Sequence, residues 1–146
     1  MLELFDYADS LGLSVEYAPL RARNGEYRDD LMRIRLHDDM TPRLTVWTLA
    51  HEIAHHIYRD VPSMFDAENA RQERRADEWA ALHLVDPKRY REAEALHEGH
   101  VPSIAHDLGV ANRCIEVFRG CLERLDQDVY VAPQMGLGQY SARLRA

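Results

Sequence analysis

One short stretch constrains this chain more than any other feature of its sequence: His51-Glu52-Ile53-Ala54-His55. On an α-helix, residues four apart project from the same face about one turn apart, so one metal ion can reach both histidines. Glu52 points about 100° around the helix from His51, where it can hold a water molecule without being a ligand. The stretch therefore predicts a helix that carries two metal ligands and an acid/base, and a fold that brings a further ligand to it.

The candidate for the further ligand is Glu73, in the run Glu73-Arg74-Arg75-Ala76-Asp77. A catalytic zinc ion takes three protein ligands and leaves one position open, so His51, His55 and Glu73 form a complete set. Asp77 lies one helical turn beyond Glu73 and can accept the remaining ring N–H of a ligating histidine. The alternative to a metal site is that the histidine pair and the acidic pair simply lie on two solvated helix faces. Because both pairs occur in one short chain, a Zn²⁺ site is favoured.

Length, charge and cysteine content limit the size, the partners and the location that we expect for this protein. A chain of 146 residues with 46% hydrophobic residues fits one compact region with a real core. The net charge of −7 argues against general affinity for nucleic acid or anionic lipid. Neither a leader peptide nor an apolar run of about 18 residues is evident, so we expect a cytoplasmic protein that does not enter a membrane. Cys114 and Cys121 lie on one probable helix and are expected to be reduced core residues.

The pattern of apolar residues predicts an α+β fold. An amphipathic helix over residues 1–11 precedes three short strands, and Asn24-Gly25 is a strong turn signal between the first two. We expect a small antiparallel sheet in which Ile34 and Leu36 face the core. Thr41-Pro42 is typical of a helix start and opens the helix of the histidine pair. A second helix over residues 66–85 carries Glu73 and Asp77, and the two helices must pack together to share a metal.

The segment from residue 101 to 125 has the apolar and glycine spacing of a helix-turn-helix. Its three arginines are balanced by three carboxylates, so the positive surface of a DNA reader is missing. We therefore expect a helix pair packed on the core and no specific DNA binding. The predicted organisation is a metallopeptidase core over residues 1–100, this helical segment over 101–125, and a tail over 126–146. Within the tail, residues 133–140 are a candidate to cover the active-site cleft.

Three runs together resemble the ImmA/IrrE family of zinc peptidases, over roughly residues 30–125. They are Leu49-Ala50-His51-Glu52-Ile53-Ala54-His55-His56, then Glu73-Arg74-Arg75-Ala76-Asp77-Glu78-Trp79-Ala80-Ala81, then Ile104-Ala105 through Gly109-Val110. The family often has asparagine where Asp77 stands and phenylalanine where Trp79 stands. Its apolar run after the third ligand is interrupted here by His83 and Asp86. These departures put the local helix end in question and leave the metal site intact.

The resemblance implies a zincin-like core, Zn²⁺ held by His51, His55 and Glu73, and Glu52 as the catalytic acid/base. It also implies a substrate, since studied family members cut a helix-turn-helix transcriptional repressor and so release the genes that it silences. The oxyanion donor stays open among Tyr58, His83 and Tyr90. Two other functions also stay open: a zinc-containing binding module that sequesters a repressor or toxin without cleavage, and a DNA-binding regulator that uses residues 103–125.

Overall fold

The computed structural model describes residues 2–131, with side chains up to residue 125. This part of the chain is α+β, with six helices and three strands. In chain order the elements are α1 (Leu2–Ser10), β1 (Ser14–Ala18), β2 (Gly25–Arg28), β3 (Arg33–His37), α2 (Pro42–Ile57), α3 (Asp66–Leu84), α4 (Pro87–Leu96), α5 (Val101–Leu108) and α6 (Asn112–Val131).

The sheet is mixed, and the expectation of an antiparallel sheet was wrong for one of its two strand pairs. The strand order is β1-β3-β2; β2 and β3 are antiparallel, whereas β1 runs parallel to β3. Alternating polarity along a strand reports which face is buried but not the direction of its neighbour, so the pattern contained no cue to this pairing. Ile34 and Leu36 are fully buried, as their alternation predicts. Because β3 is the central strand, β2 lies at an edge of the sheet.

The helix of the histidine pair begins where the sequence predicts. Thr41 is its N-cap and accepts a hydrogen bond from the backbone N–H of Leu44 (3.3 Å), and Pro42 fills the first helical position. α2 packs against β2 and β3 and buries its apolar stripe completely: Leu49, Ala50, Ile53 and Ala54. One turn of this helix is thereby fixed against the edge strand of the sheet, and that turn carries Glu52.

By compactness the described part of the chain forms two units, which divide inside α3 between Trp79 and Ala80. In the second unit α5 packs on both α4 and α6, and the Tyr90 ring meets the Phe118 ring edge-on at 4.9 Å between centroids. Gly109 ends α5 with φ of +68°, a left-handed conformation that glycine adopts without steric cost.

Residues 109–111 separate α5 from α6, so a helix pair is present where a helix-turn-helix-like segment was expected. A helix pair alone does not establish a DNA-reading motif. α6 continues to Val131, past the expected end at residue 125. The domain boundaries at 100 and 125 stay predictions, and the segment proposed to cover the cleft, residues 133–140, lies outside the described residues.

Within residues 2–131, none of the helices combines the length and apolar character needed to cross a lipid bilayer.

Candidate metal centre

Three potential ligand atoms converge between α2 and α3 in the first unit. The Nε2 atoms of His51 and His55 are 3.0 Å apart. Glu73 reaches both rings, with Oε2 3.0 Å from Nε2 of His51 and Oε1 3.2 Å from Nε2 of His55. Two ligands bound to zinc at about 2.0–2.1 Å in a tetrahedral arrangement lie about 3.3 Å apart. The spacing within the cluster is thus within a few tenths of an ångström of what a shared ion requires.

The far side of each histidine ring is tied to a carboxylate. Nδ1 of His51 lies 2.8 Å from Oδ1 of Asp77, and Nδ1 of His55 lies 2.9 Å from Oδ2 of Asp60. An ionised carboxylate can only accept, so each ring donates its Nδ1–H, and a ring that is neutral then presents an unprotonated Nε2. If both rings are neutral, two nitrogen lone pairs and a carboxylate face one another, so a positive charge, either a proton or a metal ion, is needed between them. A cation resolves this arrangement, so these residues fit a divalent metal ion.

The electrostatics of the cluster also favour positive charge. Burial alone would lower the pKa of His51, but hydrogen bonds to Asp77 and Glu73 outweigh it and raise that pKa to about 10. Hydrogen bonds from His51 and His55 hold the pKa of Glu73 well below its ordinary value. The carboxylates around the two rings stabilise either a proton on one ring or a metal ion between the rings. Metal binding therefore releases such a proton.

Glu52 lies beside the cluster but takes no part in it. Its side chain is buried, and among residues 2–125, whose side chains the structure describes, its carboxylate has no hydrogen-bond partner. Burial raises its pKa above the ordinary value. The backbone of Gly25 on β2 lies so near that a Cβ there would be 2.8 Å from Oε1 of Glu52. The carboxylate is therefore held against the edge strand with its acceptor capacity unused, as a base for water requires.

A cleft of about 670 Å³ opens in front of these residues. Its lining includes Glu52, His55 and Glu73, the strand β2 from Gly25 to Arg28, and Val61 and Pro62 from the loop after α2. A chain bound in this cleft would lie beside β2, Glu52 and two of the three residues of the metal cluster.

The comparison with known families bears on the same residues. A family model described as Peptidase_M78, the IrrE N-terminal-like domain, matches residues 8–115, which include the whole cluster and the cleft. The chain belongs to this family. Peptidase_M78 proteins are metallopeptidases of the ImmA/IrrE type, in agreement with the resemblance read from the sequence. A search of curated proteins found no relative that matches this chain.

For this Peptidase_M78 chain, the structure brings the predicted ligands His51, His55 and Glu73 together and places Asp77 on the first of them. It does not choose an oxyanion donor. Tyr58 follows α2 with its ring under the guanidinium of Arg75, 4.2 Å from the centroid. His83 and Tyr90 belong to the second unit, where Tyr90 is buried and its hydroxyl accepts a hydrogen bond from Arg119.

Sequence reasoning did not find Asp60, which was assigned only to the loop after α2. Its side chain is 5% exposed and contacts His55 directly. The signal that marks such a position is a left-handed residue after the helix, and this is usually a glycine. Here the left-handed residue is Arg59, with φ of +53°, so the sequence carried no recognisable cue.

Proposed function

We propose that this protein is a zinc-dependent endopeptidase that cleaves a helix-turn-helix transcriptional repressor in the cytoplasm and thereby relieves repression. The observation that carries the proposal is the position of Glu52. A buried carboxylate without a hydrogen-bond partner among the described residues lies in the cleft beside three converging ligand atoms. A site built only to hold a structural ion has no need of such a group.

The residues divide the chemistry between them. His51, His55 and Glu73 would hold the metal, which when bound supplies a Lewis acid that polarises a carbonyl and makes water nucleophilic at neutral pH. Glu52 accepts the proton from the attacking water and delivers it to the leaving amine. Its raised pKa suits both halves of this task, because the group must release the proton that it takes. No covalent acyl-enzyme is required.

The edge strand offers a means of holding the substrate. β2 pairs with β3 on one side only, and its residues from Gly25 to Arg28 line the cleft. An extended peptide can add to such an edge through backbone hydrogen bonds. We propose that the substrate binds in this way, with its scissile carbonyl near Glu52 and the metal cluster.

The repressor as substrate rests on the family resemblance, while the demand for narrow specificity has a physical basis. A small domain cannot enclose its active site in a chamber, so selectivity must come from docking a particular partner or from covering the cleft. The α5–α6 pair, proposed to be helix-turn-helix-like, would serve packing or docking of that partner. We propose no direct specific contact with DNA and none with a membrane.

The proposal is tested with the regulator encoded beside this gene, casein and two variants. Wild-type protein should cut the regulator at one site and leave casein largely intact. Glu52→Gln should retain metal and fold and lose at least about 100-fold in cleavage rate, because the amide cannot carry a proton. Glu16→Gln, an exposed change on β1, is the matched control and should cut normally.

The competing function is a zinc-containing module that binds a repressor or toxin without cutting it. Glu52→Gln would then bind its partner as the wild type does, and neither would produce fragments. Fragments from the wild type alone would exclude this alternative. Indiscriminate digestion of casein with the regulator left whole would show that the proposed specificity is wrong.

A further inference from the structure

The C-terminus of α2 folds back on itself and places Asp60 beneath the second ligand histidine. Tyr58 is the C-cap, and Arg59 adopts a left-handed conformation with φ of +53°. The backbone N–H of Arg59 donates to the carbonyl of His56 (3.0 Å), and that of Asp60 donates to the carbonyl of His55 (2.9 Å). This pair of bonds is the Schellman arrangement. It fixes the backbone of Asp60 to the same residue that its side chain contacts.

A non-glycine residue in this conformation costs roughly 1–2 kcal/mol. Arg59 has a compensating contact, because its Nε lies 3.0 Å from Oδ1 of Asp29 in the turn between β2 and β3. The fold-back is therefore held from both sides, by backbone hydrogen bonds to α2 and by an ion pair to the sheet. Asp60 is delivered by a rigid turn and not by a free loop.

Both carboxylate oxygens of Asp60 are engaged. Oδ2 accepts from Nδ1 of His55 at 2.9 Å, and Oδ1 accepts from a terminal nitrogen of Arg75 at 2.6 Å. Arg75 lies on α3, two residues after Glu73. One buried carboxylate thus touches a ligand on α2 and an arginine on the helix that carries the third ligand.

We propose that Asp60 is a positioning residue for the metal centre: it fixes the tautomer and orientation of His55 and, through Arg75, sets the spacing between the two ligand-bearing helices. Charge-assisted hydrogen bonds of this kind are shorter and stronger than neutral ones, and here the side chains of Asp60 and His55 are nearly closed to water, while that of Arg75 is part-exposed. The site is thereby arranged before the metal arrives. This inference rests on the proposed metal centre, but its first readout requires no metal.

The first experiment is long-range ¹H–¹⁵N NMR of the histidine rings in the full-length, metal-free protein. Wherever the His55 ring is neutral, the wild type should show a single tautomer with the proton on Nδ1. In Asp60→Ala the signals should move toward a mixture of tautomers, while those of His51 stay in place. Asp77→Ala is the matched control and should produce the reverse, disturbing His51 and sparing His55.

The second experiment measures zinc affinity by competition with a chelator. Asp60→Ala should bind zinc about 10- to 100-fold more weakly, the usual effect of losing such a partner. Asp60→Asn keeps an acceptor for His55 and should recover part of that loss. Arg75→Gln should weaken zinc binding without changing the His55 tautomer, because it affects only the link between helices.

The NMR and zinc-affinity measurements distinguish failure of this inference from failure of the proposed metal centre. A single Nδ1–H tautomer of His55 in folded Asp60→Ala, with zinc affinity within twofold of wild type, would overturn the inference. If Asp60→Ala does not fold, zinc affinity decides: affinities of Asp60→Asn and Arg75→Gln that both lie within twofold of wild type would overturn the inference. Wild-type protein that binds no zinc would remove the proposed metal centre, and the tautomer measurement would still decide the role of Asp60.

Discussion

Gly25 and Glu52 are in such close contact that no larger residue fits at position 25. A Cβ on Gly25 would lie 2.6 Å from Cγ2 of Thr48 and 2.8 Å from Oε1 of Glu52, and both neighbours are buried on α2. The glycine is therefore required by proximity. It allows the edge strand to approach the general base that we propose.

We expect Gly25→Ala to displace the Glu52 carboxylate or the strand. The change should lower the free energy of unfolding by about 1–3 kcal/mol, as overpacking does, and reduce peptide hydrolysis at least tenfold with zinc content unchanged. Gly120→Ala is the control, since a Cβ there meets nothing within 4 Å and the residue lies within α6. It should raise stability by about 0.5–1 kcal/mol. Normal activity in Gly25→Ala would contradict the close-contact argument.

The purified protein should carry about one zinc ion per chain, because three protein ligands complete a catalytic set. His55→Ala should lose it. His56→Asn offers a sharp comparison, since His56 is the next residue but its Nδ1 lies 2.9 Å from the hydroxyl of Tyr27, which donates to Asp29. Asparagine can still supply an N–H to Tyr27, so this variant should keep the metal. Elemental analysis that finds no metal in the wild type, even after zinc is added, would remove the site.

The cysteines should be unreactive in the folded protein. Cys114 and Cys121 are both buried, and burial raises the pKa of the Cys114 thiol to about 12, so almost no thiolate exists at neutral pH. A thiol-reactive dye should modify neither cysteine at pH 8 within minutes and should modify both once the protein is unfolded. Rapid labelling of native protein would show that the second unit opens easily around α6.

Acid should weaken the link between β2 and β3. Hydrogen bonds from Arg35 to Glu26 lower the pKa of Glu26 below its ordinary value of about 4.5. A carboxyl group with a lowered pKa in the folded state adds stability above its unfolded pKa, and this stability is lost as pH falls through the folded value. A double-mutant cycle of Glu26→Gln and Arg35→Gln should give a coupling of up to about 1 kcal/mol at pH 7 that is lost as the pH falls through the folded-state pKa of Glu26. A coupling that does not change after NMR shows that Glu26 is protonated would mean that the pair is not ionic.

The α5–α6 segment should not bind DNA with sequence specificity. Its cations are already engaged: Arg119 bonds to the hydroxyl of Tyr90 and the carbonyl of Gly99, and Arg113 lies 3.9 Å from Glu116. Few are left to engage phosphates. Fluorescence anisotropy with operator DNA at physiological salt should show no saturable binding. Tight binding would favour the DNA-binding regulator considered from the sequence.

Helical periodicity was enough to predict each of the two residue pairs at the metal cluster. The four-residue spacing of His51 and His55, and of Glu73 and Asp77, fixes each pair on one helix face whatever the rest of the fold does. Thr41-Pro42 likewise marked the helix start through local chemistry alone. These features depend on short-range geometry, which a single sequence contains.

Other features depend on contacts between distant segments, and the sequence did not reveal them. The parallel pairing of β1 with β3 depends on how residues 19–24 cross to the far side of the hairpin. The role of Asp60 depends on a turn in which arginine takes a conformation usual for glycine. α6 continues to Val131, beyond the segment boundary predicted at residue 125, because neither glycine nor proline follows Leu125 until Pro133.

The edge position of β2 has a consequence for the target protein. A strand that captures its partner through the backbone accepts only a chain that is already extended, whereas a folded helix keeps its own N–H and C=O groups occupied. Cutting within a helical repressor would therefore first require that segment to unwind, at a cost set by the local stability of the target. The rate of cleavage would follow the population of the unwound segment. Mutations that stabilise the target helix would then protect it as effectively as mutations of the scissile bond.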